Sequence, residues 1–195
     1  MIEKGLCIEE SWYVLTDDRE VFPDAQRPYR VRDGRDPREL ERFVNLMLKL
    51  NREQPDHRCV LVIDGGGNRT EIDDWLSSVS TLCVLPADPS FESVKRVWRD
   101  AERMPSAVIL PNRWPTNSFA AQADKPLLEV LHQEFPGRVL EPLPSMHAVN
   151  KLLAADFTAL DSGQRTFCRA VADRVYHTAR ARSAGSSGDQ SLVER

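Results

Sequence analysis

Cys59-Val-Leu-Val-Ile63 is an unbroken apolar run that stops at Asp64 and three glycines. A strand with one wet face alternates apolar and polar residues. A run without alternation belongs to a strand covered on both faces, the condition of strands in parallel sheets. The spacing predicts a strand over 58–63. Similar runs follow at Thr81-Leu-Cys-Val-Leu-Pro86, at Ala107-Val-Ile-Leu110 and, more briefly, at Arg138-Val-Leu140. Between them the apolar spacing becomes helical. Asp36-Pro37 opens a helix over 36–53 with Leu40, Phe43, Val44, Met47 and Leu48 on one face; Asp serves as cap, and Pro suits the first turn because its missing N–H has no partner there. Residues 72–79 predict a short helix, and Asp88-Pro89 caps another that sends Phe91, Val94, Val97 and Trp98 to the core. Further helices are expected at 126–135, 147–155 and 163–182. Strand–helix alternation of this kind is the pattern of an α/β fold: a mostly parallel sheet with helices on both faces and functional groups at the carboxyl ends of the strands.

Length and composition set the frame. The chain has 195 residues, 41% hydrophobic and 29% charged, enough for one sizeable core. No apolar run approaches the ~18 residues of a membrane span, and the first residues lack the apolar stretch of a secretory signal, so a cytoplasmic location without a membrane partner is expected. Residues 1–35 read as an irregular N-terminal segment, in which Trp12-Tyr-Val-Leu15 could form a strand while 17–36 is dense in charge and proline; 36–182 read as the α/β domain and 183–195 as a flexible tail. Cys7, Cys59, Cys83 and Cys168 lack C-x-x-C spacing and read as thiols packed like small hydrophobes. His57, His132, His147 and His177 lack metal-site spacing, and no nucleophile elbow or other catalytic residue is indicated.

Chemistry concentrates at three strand ends. Asp64, at the tip of an apolar strand and before Gly65, is placed to hold Mg²⁺ beside a polyphosphate or, equally, to cap a tight turn. Asn112, with Arg113, follows the strand Ala107–Leu110; its amide offers a donor and an acceptor to a base edge, or simply turns the chain. Pro142-Leu-Pro144-Ser145-Met146 makes a stiff loop at the same edge.

The order of these motifs resembles the ParA/MinD family of deviant Walker ATPases (the CobQ/CobB/MinD/ParA group), which partition plasmids and chromosomes or position division machinery. The resemblance rests on Ile63-Asp64-Gly-Gly, Val84-Leu-Pro86-Ala-Asp-Pro-Ser90, Ile109-Leu-Pro-Asn112-Arg113 and Pro142-Leu-Pro144, and covers residues 58–180. It implies a P-loop NTPase-like fold and ATP with Mg²⁺ as ligands. It also implies Asp64 as the Walker B carboxylate and metal ligand, with Gly65 beside it. Asn112 and Arg113 then fall at the adenine, and Pro144, Ser145 and Met146 form the wall of the base pocket. Partners implied are a second copy in a homodimer, a ParB-like or other activating protein, and non-specific DNA. Other branches of the superfamily, of the cobyrinate amidotransferase or nitrogenase iron-protein type, are the remaining relatives; the latter needs bridging cysteines.

One part of the pattern is missing. Family members begin with a strand leading into a K-G-G-x-G-K-[ST] loop whose backbone N–H groups and lysines cradle phosphate. None of the five lysines, Lys4, Lys49, Lys95, Lys125 and Lys151, follows a glycine. The fold is therefore expected to be N-terminally incomplete or degenerate. The expected function is that of a ParA-like protein acting in segregation or positioning, with a non-catalytic pseudo-ATPase module that pairs with a homologue or partner as the alternative. On the last helix, Arg165, Arg169, Arg174, Arg180 and Arg182 stand against the single acid Asp173. Phe167, Val171 and Val175 form an apolar stripe that docks it. Arginines suit phosphate contacts, and family members bind DNA through basic residues in this part of the chain; a solvated helix face is the plainer alternative.

Overall fold

A computed structural model describes residues 10–15, 30–54, 59–65, 70–145 and 161–189. The chain is mixed α/β, its strands are parallel, and it divides into two compact units: residues 1–73 with 148–178, and residues 74–147 with 179–195. Among the described residues no helix is long and apolar enough to cross a membrane.

In the first unit Glu10–Leu15 (β1), Arg30–Asp33 (β2) and Cys59–Asp64 (β3) form a three-stranded parallel sheet in the order β2-β1-β3. Val14, opposite Arg32 and Ile63, is fully buried, and Leu15 aligns with both Asp33 and Asp64 at the carboxyl edge. Within residues 1–35 the possible strand at Trp12–Leu15 is part of β1, and the segment expected to be irregular supplies β2 as well. The charged strand β2 was illegible as a strand because its arginines hide amphipathic packing: the Arg32 guanidinium lies 4.4 Å over the Phe43 ring. Phe43 belongs to α1 (Pro37–Glu53), whose N-cap Asp36 accepts from the backbone N–H groups of Arg38 and Glu39. Leu40, Phe43, Val44 and Met47 are buried as the spacing requires, whereas Leu48 is 36% exposed. The Asn51 side chain accepts from the Cys59 N–H and donates to its carbonyl, both at 3.3 Å, tying the last turn of α1 to the start of β3.

The helix α2 (Thr70–Val79) crosses the boundary between the units. In the second unit Val84–Ala87 (β4) and Val108–Pro111 (β5) pair in parallel. They share a core with α3 (Phe91–Arg103) and α4 (Ser118–Glu134) built on Ala87, Val94, Val97, Ala101, Ile109, Leu131 and Phe135. Trp98 packs edge-on to Phe135 with ring centroids 5.3 Å apart. The cap of α3 is Ser90 and not Asp88, because Ser90 Oγ accepts from the Ser93 N–H at 3.2 Å. Phe91 consequently points outward and is 67% exposed. The helix α4 starts well before residue 126. Asn117 is its cap, and Pro126 lies in its interior.

Residues 138–145 run beside β5: Ile109 N–H donates to Arg138 O, Leu140 N–H to Ile109 O and Leu143 N–H to Pro111 O, each at 2.8 Å. The expected strand here is reduced to two isolated parallel bridges, Ile109 with Val139 and Trp114 with Pro144. Pro142 and Pro144 have no N–H to continue a ladder. Arg138 closes the C-terminal end of α3, donating to the carbonyls of Ala101, Met104 and Ala107 at 3.0, 2.8 and 2.9 Å.

The last helix, α5 (Ser162–Asp189), is opened by a reciprocal cap in which Gln164 N–H donates to Asp161 and Asp161 N–H to the Gln164 side chain. It runs past the expected end at 182 into the segment read as a flexible tail, since each added residue of a formed helix gains a hydrogen bond without a new nucleation cost. The helix expected at 147–155 lies outside the described residues.

Candidate functional site

Asp88 follows β4, and Asn112 and Arg113 follow β5, so the parallel pairing brings all three to one edge of the second unit. Asn112 N–H donates to Ala87 O at 2.8 Å, holding the two strand ends together. The Asn112 side-chain amide donates to Asp88 Oδ1 at 3.3 Å, and Arg113 Nη1 stands 3.5 Å from Asp88 Oδ2. Asp88 is held in turn from α3: its N–H donates to Ser93 Oγ at 3.0 Å, and Ser93, 8% exposed, is fixed by the Ser90 cap. A relay of short polar contacts therefore runs from the first turn of α3 through Ser93 and Asp88 to Asn112 and Arg113.

Arg113 takes a left-handed backbone conformation with φ 57°. Val108 and Asn112 donate their N–H groups towards β4, to Cys83 O and Ala87 O. In a regular strand residue 114 would do the same. Instead Trp114 N–H donates to Leu143 O at 2.8 Å, on the opposite side, and Trp114 O accepts from Ser145 N–H at 3.2 Å. The turn at Arg113 thus pulls the chain across to the Pro142–Ser145 segment, buries Trp114, and leaves the Arg113 side chain exposed over Asp88. Of the residues expected at a base, Asn112, Arg113, Pro144 and Ser145 meet at this edge; Met146 lies outside the described residues.

Asp64 and Gly65 end β3 in the first unit. Asp64 is exposed and aligned, through Leu15, with Asp33. Hydrogen bonds from the Arg35 side chain and then its backbone hold the Asp33 carboxyl at about 2, well below the usual carboxylate range. A Cβ added to Gly65 would come within 3.4 Å of the Asp73 carboxylate. Sequence reasoning missed Ser93 and the approach of Asp73. A serine three residues after a cap signals the first; nothing local signals the second.

On α5, Arg165 and Arg169 are exposed, Arg174 is half-buried, and Phe167, Val171 and Val175 are half-buried. At about 100° per residue, Arg165 and Arg169 share one face, opposite the apolar stripe, while Arg174 falls beside the stripe; the side chains of Arg180 and Arg182 lie outside what the structure describes. Burial raises the Cys168 thiol above its ordinary value. Among the described residues no three His, Cys, Asp or Glu side chains gather as a metal-ion cluster.

Among the described residues the lysines do not form a triphosphate cradle. Lys49 and Lys125 lie on the sides of α1 and α4, ion-paired with Glu53 and Glu129 one turn on, and Lys95 is exposed on α3. None stands at a strand end. No protein-family model matches this chain, and no curated protein matches it.

Proposed function

We propose that this chain is a cytoplasmic ParA/MinD-like partition or positioning protein of P-loop NTPase-like fold, acting in plasmid or chromosome segregation. It works as a homodimer or with a ParB-like activating partner, and holds non-specific DNA through the outward face of α5. The observation that carries the reading is the meeting of Asp88, Asn112, Arg113 and the Pro142–Ser145 segment at one carboxyl edge of parallel strands, the edge where α/β folds keep their sites. The exposed pair Arg165 and Arg169 supports the DNA part. A mobility-shift titration at low salt tests it: wild-type protein retains duplex DNA, and an Arg165→Glu, Arg169→Glu variant loses most of that retention. No retention by the wild type at low salt overturns the DNA part.

A second reading, a non-catalytic module that pairs with a homologue or partner, is favoured by the placement of Lys49, Lys95 and Lys125 on helix sides. It predicts a stable complex without DNA retention.

A further inference from the structure

The outward face of α3 carries unmatched positive charge. Val94, Val97 and Ala101 turn into the core. On the opposite side Lys95, Arg96 and Arg99 fall within about 100° of arc, and all three are exposed. The later acids of this helix are engaged elsewhere: Asp100, with Asp74, holds Arg103, and Glu102 accepts from Trp98 Nε1 at 2.9 Å. Among the described residues no ion pair reaches Lys95, Arg96 or Arg99, whereas Lys49 and Lys125 are each paired with a glutamate on their own helix. Glu92 is the one acid left beside the three cations, so the face is positive in a chain of net charge −4. Phe91, one turn before Lys95, is 67% exposed, and Phe119, in the first turn of α4, is 86% exposed. Both helices start at the carboxyl edge of the paired strands β4 and β5 and share one core. Counting back at 1.5 Å per residue from the contact of Trp98 with Phe135, Phe91 stands about 10 Å and Phe119 about 24 Å towards that edge. Two bare rings at successive levels thus lead into a cationic stripe. A single-stranded nucleic acid uses both features, because its unpaired bases stack on aromatic rings while its phosphates follow the cations. A duplex keeps its bases stacked on one another and leaves the rings idle.

We propose that Phe119, Phe91 and the Lys95, Arg96, Arg99 stripe of α3 form a binding site for single-stranded nucleic acid without sequence preference, a contact apart from the duplex-binding face read on α5. Fluorescence anisotropy of a labelled oligothymidylate with the full chain at low salt tests it. The wild type binds. Phe91→Ala with Phe119→Ala weakens binding by about tenfold or more, on the scale of lost base stacking, and Phe91→Tyr with Phe119→Tyr keeps it, since tyrosine offers the same flat ring. Lys95→Gln, Arg96→Gln and Arg99→Gln together reduce the slope of log affinity against log salt by about 2, at about 0.7 per phosphate contact on a single strand. An Arg165→Glu, Arg169→Glu variant binds the oligothymidylate as the wild type does, so failure of the α5 reading and failure of this site are distinct. Four results each overturn the site: no binding by the wild type, unchanged affinity in the alanine pair, equal affinity of the Arg165→Glu, Arg169→Glu variant for a duplex of the same length, or displacement by polyglutamate as effective as by oligothymidylate. The last would assign the face to an acidic protein.

Discussion

Arg113 and Arg138 are both arginines near β5, and they do opposite work. Arg113 has a strained backbone and an exposed side chain; a non-glycine residue in the left-handed region costs roughly 1–2 kcal/mol. Asparagine tolerates that region and β-branched residues do not. Arg113→Asn is therefore expected to leave stability within about 0.5 kcal/mol of wild type, and Arg113→Val to lose about 1–2 kcal/mol more, both having given up the same exposed ion pair. Equal losses in urea unfolding would count against the strained geometry. Arg138 instead satisfies three carbonyls at the end of α3. Arg138→Leu strands the Ala101 and Ala107 carbonyls, while Met104 O keeps the Ala107 N–H, at a cost of about 2–4 kcal/mol, and Arg138→Lys, lacking the planar fork, falls in between. A loss below about 0.5 kcal/mol for the leucine variant would show that water replaces the guanidinium.

At the scale of elements, propensity rules located most helices but misplaced the cap of α3 by two residues and the start of α4 by eight. Pro126 reads as a first-turn proline because proline fits there best, yet Asn117 caps α4 two turns earlier by accepting from Ala120 N–H at 2.8 Å. Burial of Leu131 and packing of Leu127 on the core hold the helix through its interior proline. Pro126 is exposed, so the cost is a lost bond to the Gln122 carbonyl without a core clash. Pro126→Ala is expected to stabilise the chain by about 1 kcal/mol or more, read as a rise in melting temperature; an unchanged or lower value would mean that α4 is shaped to require the proline. β2 illustrates the converse. Its residues, Arg-Val-Arg-Asp, carry no strand signal, and only pairing with β1 and the contact of Arg32 with Phe43 make them a strand.

For the whole molecule, a net charge of −4 argues against general attraction to nucleic acid, so any DNA binding must come from a local face. Each phosphate neutralised on duplex DNA contributes about −0.9 to the slope of log affinity against log salt. Arg165 and Arg169 acting together predict a slope of about −2. A flat dependence would remove the α5 face as the contact. Asp64 belongs to the first unit and Asn112 to the second.

The sequence by itself determined the parallel α/β character through unbroken apolar runs such as Val60–Ile63, although the expected cover on both faces fails at β3, where Val62 is 43% exposed and no residue is fully buried. It determined the helix starting after Asp36 for the same kind of local reason, a capping side chain within reach of its own backbone. It also determined, because none of the five lysines follows a glycine, that the usual phosphate-loop motif does not occur in these residues. Only the tertiary structure decided that β1 and β2 complete a sheet with β3, that Ser93 fixes Asp88, and that Asp73 closes on Gly65. These depend on hydrogen-bond partners supplied by other segments, and no local spacing encodes a partner on another strand.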